Sequence, residues 1–252
     1  SKFIWGRRGE ECPYLSDLTT IEVGGRPKYY ACVTHEHEAR EVSRWAQEQS
    51  LPLWVMGGGS NVVCDDDQLD GVVLQLALQE IVWDREDVEE STAVQDVEVT
   101  LGAGVVWSDF VEEAVTRGLA GVECLISIPG WSGAAPIQNI GAYGQELSDT
   151  CTAVRVYDRE LDLTRWWSAS ECQFAYRHSI FKEENGRYLI LAVRLNLRRQ
   201  GKATVRYPQL QSYLAERQQG AKPTLIEVSE AVRELRASKS MLWSAEDPNR
   251  RS

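Results

Sequence analysis

The chain has 252 residues, a formal net charge of -11 and 43% hydrophobic residues. That length and apolar content suit one large domain or two to three small ones with a sizeable core, and exclude a disordered chain. The charge argues against nucleic acid as the main partner, because phosphate backbones need clustered Lys and Arg, and no window approaches the roughly 18 apolar residues of a membrane span.

In chain order, Lys28 to Val33 suit a strand. Thr34 is a fitting N-cap for a helix over EAREVSRWAQEQ, with Ala39, Val42, Trp45 and Ala46 on one side. LPLWVM (51–56) reads as a buried strand and runs into Gly57-Gly58-Gly59-Ser60-Asn61. GVVLQLAL (71–78) is a further strand, and an irregular acidic stretch (84–96) follows. VEVTLGAG is a strand, and SDFVEEAVTRG is an amphipathic helix stopped by Gly118. Strands are expected near 152–158, 162–167 and over RYLILAVRLNL, with a Ser168-x-x-Glu171 capping box. From Gly201 onward, YPQLQSYLAERQ and LIEVSEAVRELRASK read as helices, the second opened by a Thr224-x-x-Glu227 box.

Six cysteines (12, 32, 64, 124, 151 and 172) form no C-x-x-C pair, which fits reduced thiols in a cytoplasmic protein. SKFIWGRRGEEC contains no apolar signal core. With three histidines, no metal site is expected; His35 and His37, two apart at a helix start, should not share a face and read as solvated.

Two stretches carry chemistry. Three consecutive glycines after a strand let amide N–H groups converge into an anion nest, with Ser60 and Asn61 adding donors; a flexible strand-to-strand turn is the plainer reading. SIPGWSGAAPIQNIGAYG (127–144) is too apolar for an ordinary loop and too broken for a helix. Its small residues permit close approach to a flat ligand, and Gln138 and Asn139 suit the edge of a heteroaromatic ring. A buried loop whose amides satisfy backbone groups is an equal alternative.

GGGSN, then GLAGVECLISIPGWSGAAPIQNIGAYGQE, then FAYRHSIFK, with LTTIEVGG near the start and ASKSMLWSAEDPNRRS at the end, resemble the flavin-dependent UDP-N-acetylenolpyruvoylglucosamine reductases, the MurB family. The resemblance implies an α+β fold: a two-subdomain FAD-binding fold of the PCMH/VAO type over residues 17–82 and 83–200, plus a partial third α+β substrate-binding domain over 201–252. It implies NADPH-driven, FAD-dependent reduction of the enolpyruvyl ether of a UDP-sugar to UDP-N-acetylmuramate for peptidoglycan. Gly57, Gly58, Gly59, Ser60 and Asn61 would hold the FAD pyrophosphate. Ile128, Gly130, Gly133, Ala134, Ala135, Pro136, Gln138, Asn139, Gly141, Ala142, Tyr143 and Gly144 would line the rest of the FAD site. Arg177 matches the catalytic arginine, and its fork suits a carboxylate or enolate oxygen. Tyr176, Tyr207, Arg236 and Lys239 would meet substrate. No histidine lies in either FAD loop, so the flavin is expected to be non-covalent. A monomer is the expected state.

The chain also departs from the pattern. Ile126 replaces a usual serine, Trp131 stands where a small residue is common, and Trp166-Trp167 is unusual. The family's serine proton donor and a later glutamate have no counterpart before Ser252. A C-terminally truncated chain is therefore expected, with uncovered apolar helix faces in its last region. The alternative function is then a flavin-binding module without efficient catalysis.

Overall fold

The computed structural model describes residues 12–84, 96–217, 222–239 and 241–242. β1 (Pro27–Val33), β2 (Leu53–Met56) and β3 (Leu69–Leu76) form a parallel sheet in the order β1-β3-β2. α1 (Glu36–Glu48) joins β1 to β2 and buries Ala39, Val42 and Ala46, one face of a 3.6-residue period. Its N-cap is His35, not Thr34: the Glu38 carboxylate accepts from the N–H groups of both, and the helix starts one residue later than Thr34 would set. Because His35 stays extended outside the helix, its ring returns to within 5.5 Å of the His37 ring, and both remain exposed.

The second sheet is antiparallel, in the order β10-β9-β11-β5-β4. It contains β4 (Ile81–Trp83), β5 (Asp96–Gly102), β9 (Cys151–Asp158), β10 (Leu163–Ser168) and β11 (Tyr188–Arg199). Three two-residue strands lie between: β6 (Leu119–Ala120) on β11, and β7 (Gly141–Ala142) paired with β8 (Gln145–Glu146). β7 and β8 are joined by Tyr143 and Gly144, both with positive φ (48° and 85°), as a two-residue hairpin turn of matching twist requires. Helices α2 (Trp107–Thr116), α3 (Ile180–Glu183), α4 (Pro208–Arg217) and α5 (Leu225–Ala237) follow, with short 3-10 turns that include Glu123–Leu125.

Two apolar layers hold this together. Ala31, Val33, Val42 and Leu74 pack with Tyr157, Leu189 and Leu191, joining α1 and the first sheet to one face of the second. The other face packs on α2, α4 and α5. Leu210, Leu214, Val228, Ala231, Val232 and Leu235 are all buried there. The expected uncovered helix faces are thus covered on this side, by α2 and the 123–125 turn. The link to this region is stitched by polar groups: the buried Glu123 accepts from Thr204 N–H at 2.6 Å, and Gln145 Nε2 donates to Thr204 Oγ1 at 3.0 Å. The Thr224–Glu227 capping box forms, and Ser168 and Glu171 exchange bonds across their turn.

β2 departs from its expected burial. Leu53 and Met56 are buried, but Trp54 and Val55 are each 40% exposed, because β2 is an edge strand bordering two cavities. No helix among the described residues is long and apolar enough to cross a membrane.

Candidate functional site

The Gly57–Asn61 loop leaves the end of β2 and faces the 128–141 stretch across a cavity of about 590 Å³. The lining includes all five loop residues, Ile128, Gly130, Ala134, Ala135, Gln138, Gly141, Arg177 and Arg236. Close packing leaves little or no room for a Cβ at Gly58, Gly59 and Gly130. Gly59 has φ +67°, and a Cβ there would collide with the Leu18 carbonyl. A Cβ on Gly58 would meet the Trp131 indole at 3.0 Å, and one on Gly130 would meet Ser60 Oγ at 2.7 Å.

The loop is held by its carbonyls. Gly57 C=O accepts from Gln75 Nε2 at 3.0 Å and Gly59 C=O from Thr20 N–H at 3.1 Å. Among the described residues, the N–H groups of Gly57, Gly58 and Gly59 donate to no protein acceptor. Amides in that condition, beside a cavity, suit an anion. Leu18 and Thr20 belong to the LTTIEVGG segment, which therefore braces the loop.

On the opposite wall the two neighbouring amides part. Gln138 lines the cavity, and its side chain has no hydrogen-bond partner among the described residues. Asn139 is fully buried with φ +44°. Its Nδ2 donates to Glu146 Oε2 (3.0 Å) and the Ala175 carbonyl (3.1 Å), and its Oδ1 accepts from Ser148 N–H (2.9 Å). With both N–H bonds made inside the protein, Asn139 braces the wall and is absent from the cavity lining. Gly133, Pro136, Ala142, Tyr143 and Gly144 also stay off the main cavity lining. Gly133 and Ala134 line an adjoining cavity of about 550 Å³, which shares Val55, Gly57, Val62, Ile137 and Asn185 with the first.

Arg177 sits in the turn 175–178, closed by Ala175 N–H to His178 C=O (3.1 Å) and the reverse bond (3.0 Å). Its φ is +52°, an uncommon conformation for a side-chain-bearing residue. Lys182 Nζ donates to the Arg177 carbonyl at 2.9 Å, and Arg177 Nη2 donates to the Gly141 carbonyl, tying the turn to the second wall. Tyr176 points outward, 80% exposed, and is absent from the cavity lining.

Arg236 reaches the cavity from α5. It is 6% exposed, its Nε has no hydrogen-bond partner, and Nη2 donates to the Met241 carbonyl at 3.2 Å. Burial lowers the pKa of its guanidinium, so a negative ligand would relieve a desolvated charge. Tyr207 and Lys239 stand off the lining and gather around Tyr143. The Tyr207 ring lies 5.4 Å from that of Tyr143, and Lys239 Nζ lies 5.6 Å from the same Tyr143 ring.

Sequence reasoning left Trp131 without a role and passed over Gln75; the latter's signal was a lone amide inside the apolar run VVLQL. All six cysteines are unbridged. No cluster of metal ligands occurs among the described residues.

A parallel sheet, an antiparallel sheet and a glycine-loop cavity define a class. Residues 27–161 match the FAD-binding domain family, to which the chain belongs. Within it, the chain is a homologue of the UDP-N-acetylenolpyruvoylglucosamine reductases. It is 41% identical to that of Thermobifida fusca over 241 residues, covering 94% of this chain and 65% of the relative. With that of Pseudomonas aeruginosa it shares 39% identity over 233 residues, 91% of this chain and 65% of the relative. The fold matches the crystal structure of the MurB reductase of Thermus caldophilus with a TM-score of 0.64 at 24% identity, covering 93% of this chain and 71% of that one. A VAO-type flavoprotein of Myceliophthora thermophila shares the fold at TM-score 0.50 and 16% identity, over 70% of this chain and 32% of that one. The fold is thus the mixed α+β FAD-binding fold of the PCMH/VAO type. The chain spans slightly less than two thirds of the length of the curated relatives described.

Proposed function

We propose that this chain is the flavin- and substrate-binding core of a cytoplasmic UDP-N-acetylenolpyruvoylglucosamine reductase, which uses NADPH to reduce the enolpyruvyl ether of the UDP-sugar. The observation that carries this reading is one cavity lined by the glycine loop, the 128–141 wall, Arg177 and Arg236.

The residues present fit FAD. The amides of 57–59, without a protein acceptor among the described residues, suit its diphosphate, the adjoining cavities suit an elongated dinucleotide, and the Gln138 amide, unpartnered among the described residues, suits the edge of its ring system. Bound FAD would supply hydride transfer. The protein's part is electrostatic. Addition of hydride to the vinyl carbon places negative charge beside the substrate carboxylate, and a fixed guanidinium stabilises that charge. Arg177 is such a group: the Gly141 bond and the Lys182 clamp set its position, and its remaining N–H donors, without an acceptor among the described residues, suit an oxyanion. Arg236, buried and short of acceptors, suits the substrate diphosphate; Tyr207 and Lys239 would meet the same ligand nearer the rim.

The test is spectroscopic. Purified protein should take up FAD and bleach anaerobically on addition of NADPH, and the full-length protein should then be re-oxidised by the UDP-enolpyruvyl sugar. Arg177→Ala should keep FAD affinity and lose at least about a hundredfold in substrate reduction. Unchanged turnover in that variant would remove Arg177 from the mechanism, and failure to take up FAD would end the proposal.

A further inference from the structure

Gln75 is a polar residue on the central strand of the first sheet, between Leu74 and Leu76, and only 7% exposed. It does not line the cavity. Its side chain is nevertheless fully oriented. Oε1 accepts from the hydroxyl of Tyr30 on β1 at 2.5 Å, and Nε2 donates to the Gly57 carbonyl at 3.0 Å. Tyr30 is itself buried among Cys12, Leu15, Met56 and Val73. Burial, followed by the neighbouring Cys32, raises its pKa, so the hydroxyl keeps its proton and remains a donor.

This arrangement has a direction. A hydroxyl that donates to Oε1 sets which end of the amide is carbonyl and which is NH2. The NH2 end then meets Gly57 C=O. No peptide bond among the described residues is cis, so the Gly58 N–H points opposite to the Gly57 carbonyl, away from Gln75. A glycine backbone does not otherwise favour that peptide orientation, because glycine accepts either sign of φ at similar cost.

We propose that Gln75, set by Tyr30, is a positioning residue for the cofactor site: it locks the Gly57–Gly58 peptide so that the Gly58 N–H faces the cavity as a donor to a diphosphate. This rests on the FAD reading above and assigns part of that affinity to two residues that never touch the ligand.

The experiment measures ligand affinity, not turnover. Flavin-stripped protein is titrated with FAD, with ADP and with riboflavin, which lacks the diphosphate. Gln75→Leu should bind FAD and ADP about tenfold more weakly while riboflavin affinity holds. Tyr30→Phe should shift FAD and ADP in the same direction by about threefold. The double variant should be no weaker than Gln75→Leu alone, because Tyr30 acts through Gln75. A merely structural role would lower the melting temperature and affect all three ligands alike. Wild-type protein that binds FAD, beside a folded Gln75→Leu of unchanged FAD affinity, would overturn the positioning role and leave the functional reading intact. Wild-type protein that binds neither FAD nor ADP would overturn both. Should Gln75→Leu fail to fold, Tyr30→Phe decides the question: unchanged FAD and ADP affinity would refute the proposal.

Discussion

The two walls of the cavity are built on different principles. The 57–61 wall is backbone: the carbonyls of Gly57 and Gly59 are held by Gln75 and Thr20, the N–H groups of Gly57, Gly58 and Gly59 donate to no protein acceptor among the described residues, and Gly58 and Gly59 fit where a Cβ would strike Trp131 or Leu18. The 128–141 wall relies on side chains, and its adjacent amides take opposite tasks. Asn139 is spent on Glu146, Ala175 and Ser148, whereas Gln138 is left for the cavity. The contrast teaches that a polar residue beside a ligand cavity is informative by what it has not already bonded.

The largest expected effect falls on the backbone wall. Gly59→Ala must relieve a collision with the Leu18 carbonyl at φ +67°, and should cost about 3–4 kcal/mol in urea unfolding. Tolerance of alanine there with unaltered FAD affinity would dissolve the distinction between the walls. Next is Asn139→Ala, which removes three hydrogen bonds made by a fully buried side chain and should cost about 2–3 kcal/mol. Its neighbour gives the reverse profile: Gln138→Ala should change stability by less than about 0.5 kcal/mol and weaken FAD binding about fivefold. If the two amides respond alike, the division of labour is wrong.

The smallest effect is acid sensitivity near the second wall. The carboxyl of Glu171, in the turn leading to the Arg177 loop, is held at about 2 by the Ser168 N–H and the Arg165 guanidinium, against an ordinary 4.5. A depressed folded pKa means that its contribution is complete above 4.5 and is lost as pH falls towards 2. Glu171→Gln should therefore lower stability slightly at neutral pH, flatten the acid unfolding curve in that window and meet the wild type near pH 2. The first wall is clamped by amide and hydroxyl groups and should show no such step.

The glycine loop was legible because glycine triplets report on backbone directly. The 127–144 stretch was legible as a bare segment, part of which lines the cavity, but not in its division. Whether Gln138 or Asn139 turns inward depends on the left-handed conformation at Asn139, which adjacent amides in a sequence do not reveal. LPLWVM read as buried because an apolar run does not disclose that its strand lies at an edge. The apolar faces of α4 and α5 could be read from their spacing, but their partner, the 123–125 turn and α2, is a tertiary choice. Gln75 went unread because one polar residue in a strand is as readily a solvated face as a buried clamp.

Arg236 shares the cavity with Gly57, 179 positions earlier in the chain. Proteins leave the ribosome N-terminus first, at about 5–20 residues per second. The glycine loop is therefore exposed for roughly ten seconds or more before the helix bearing Arg236 can dock. On the proposed function, a nascent chain has the glycine-loop backbone well before the buried cation, so loading with a dinucleotide should be largely a post-translational event. The loop must remain soluble through that interval, and a wall built from glycine presents few side chains on which a misfolded neighbour could grip.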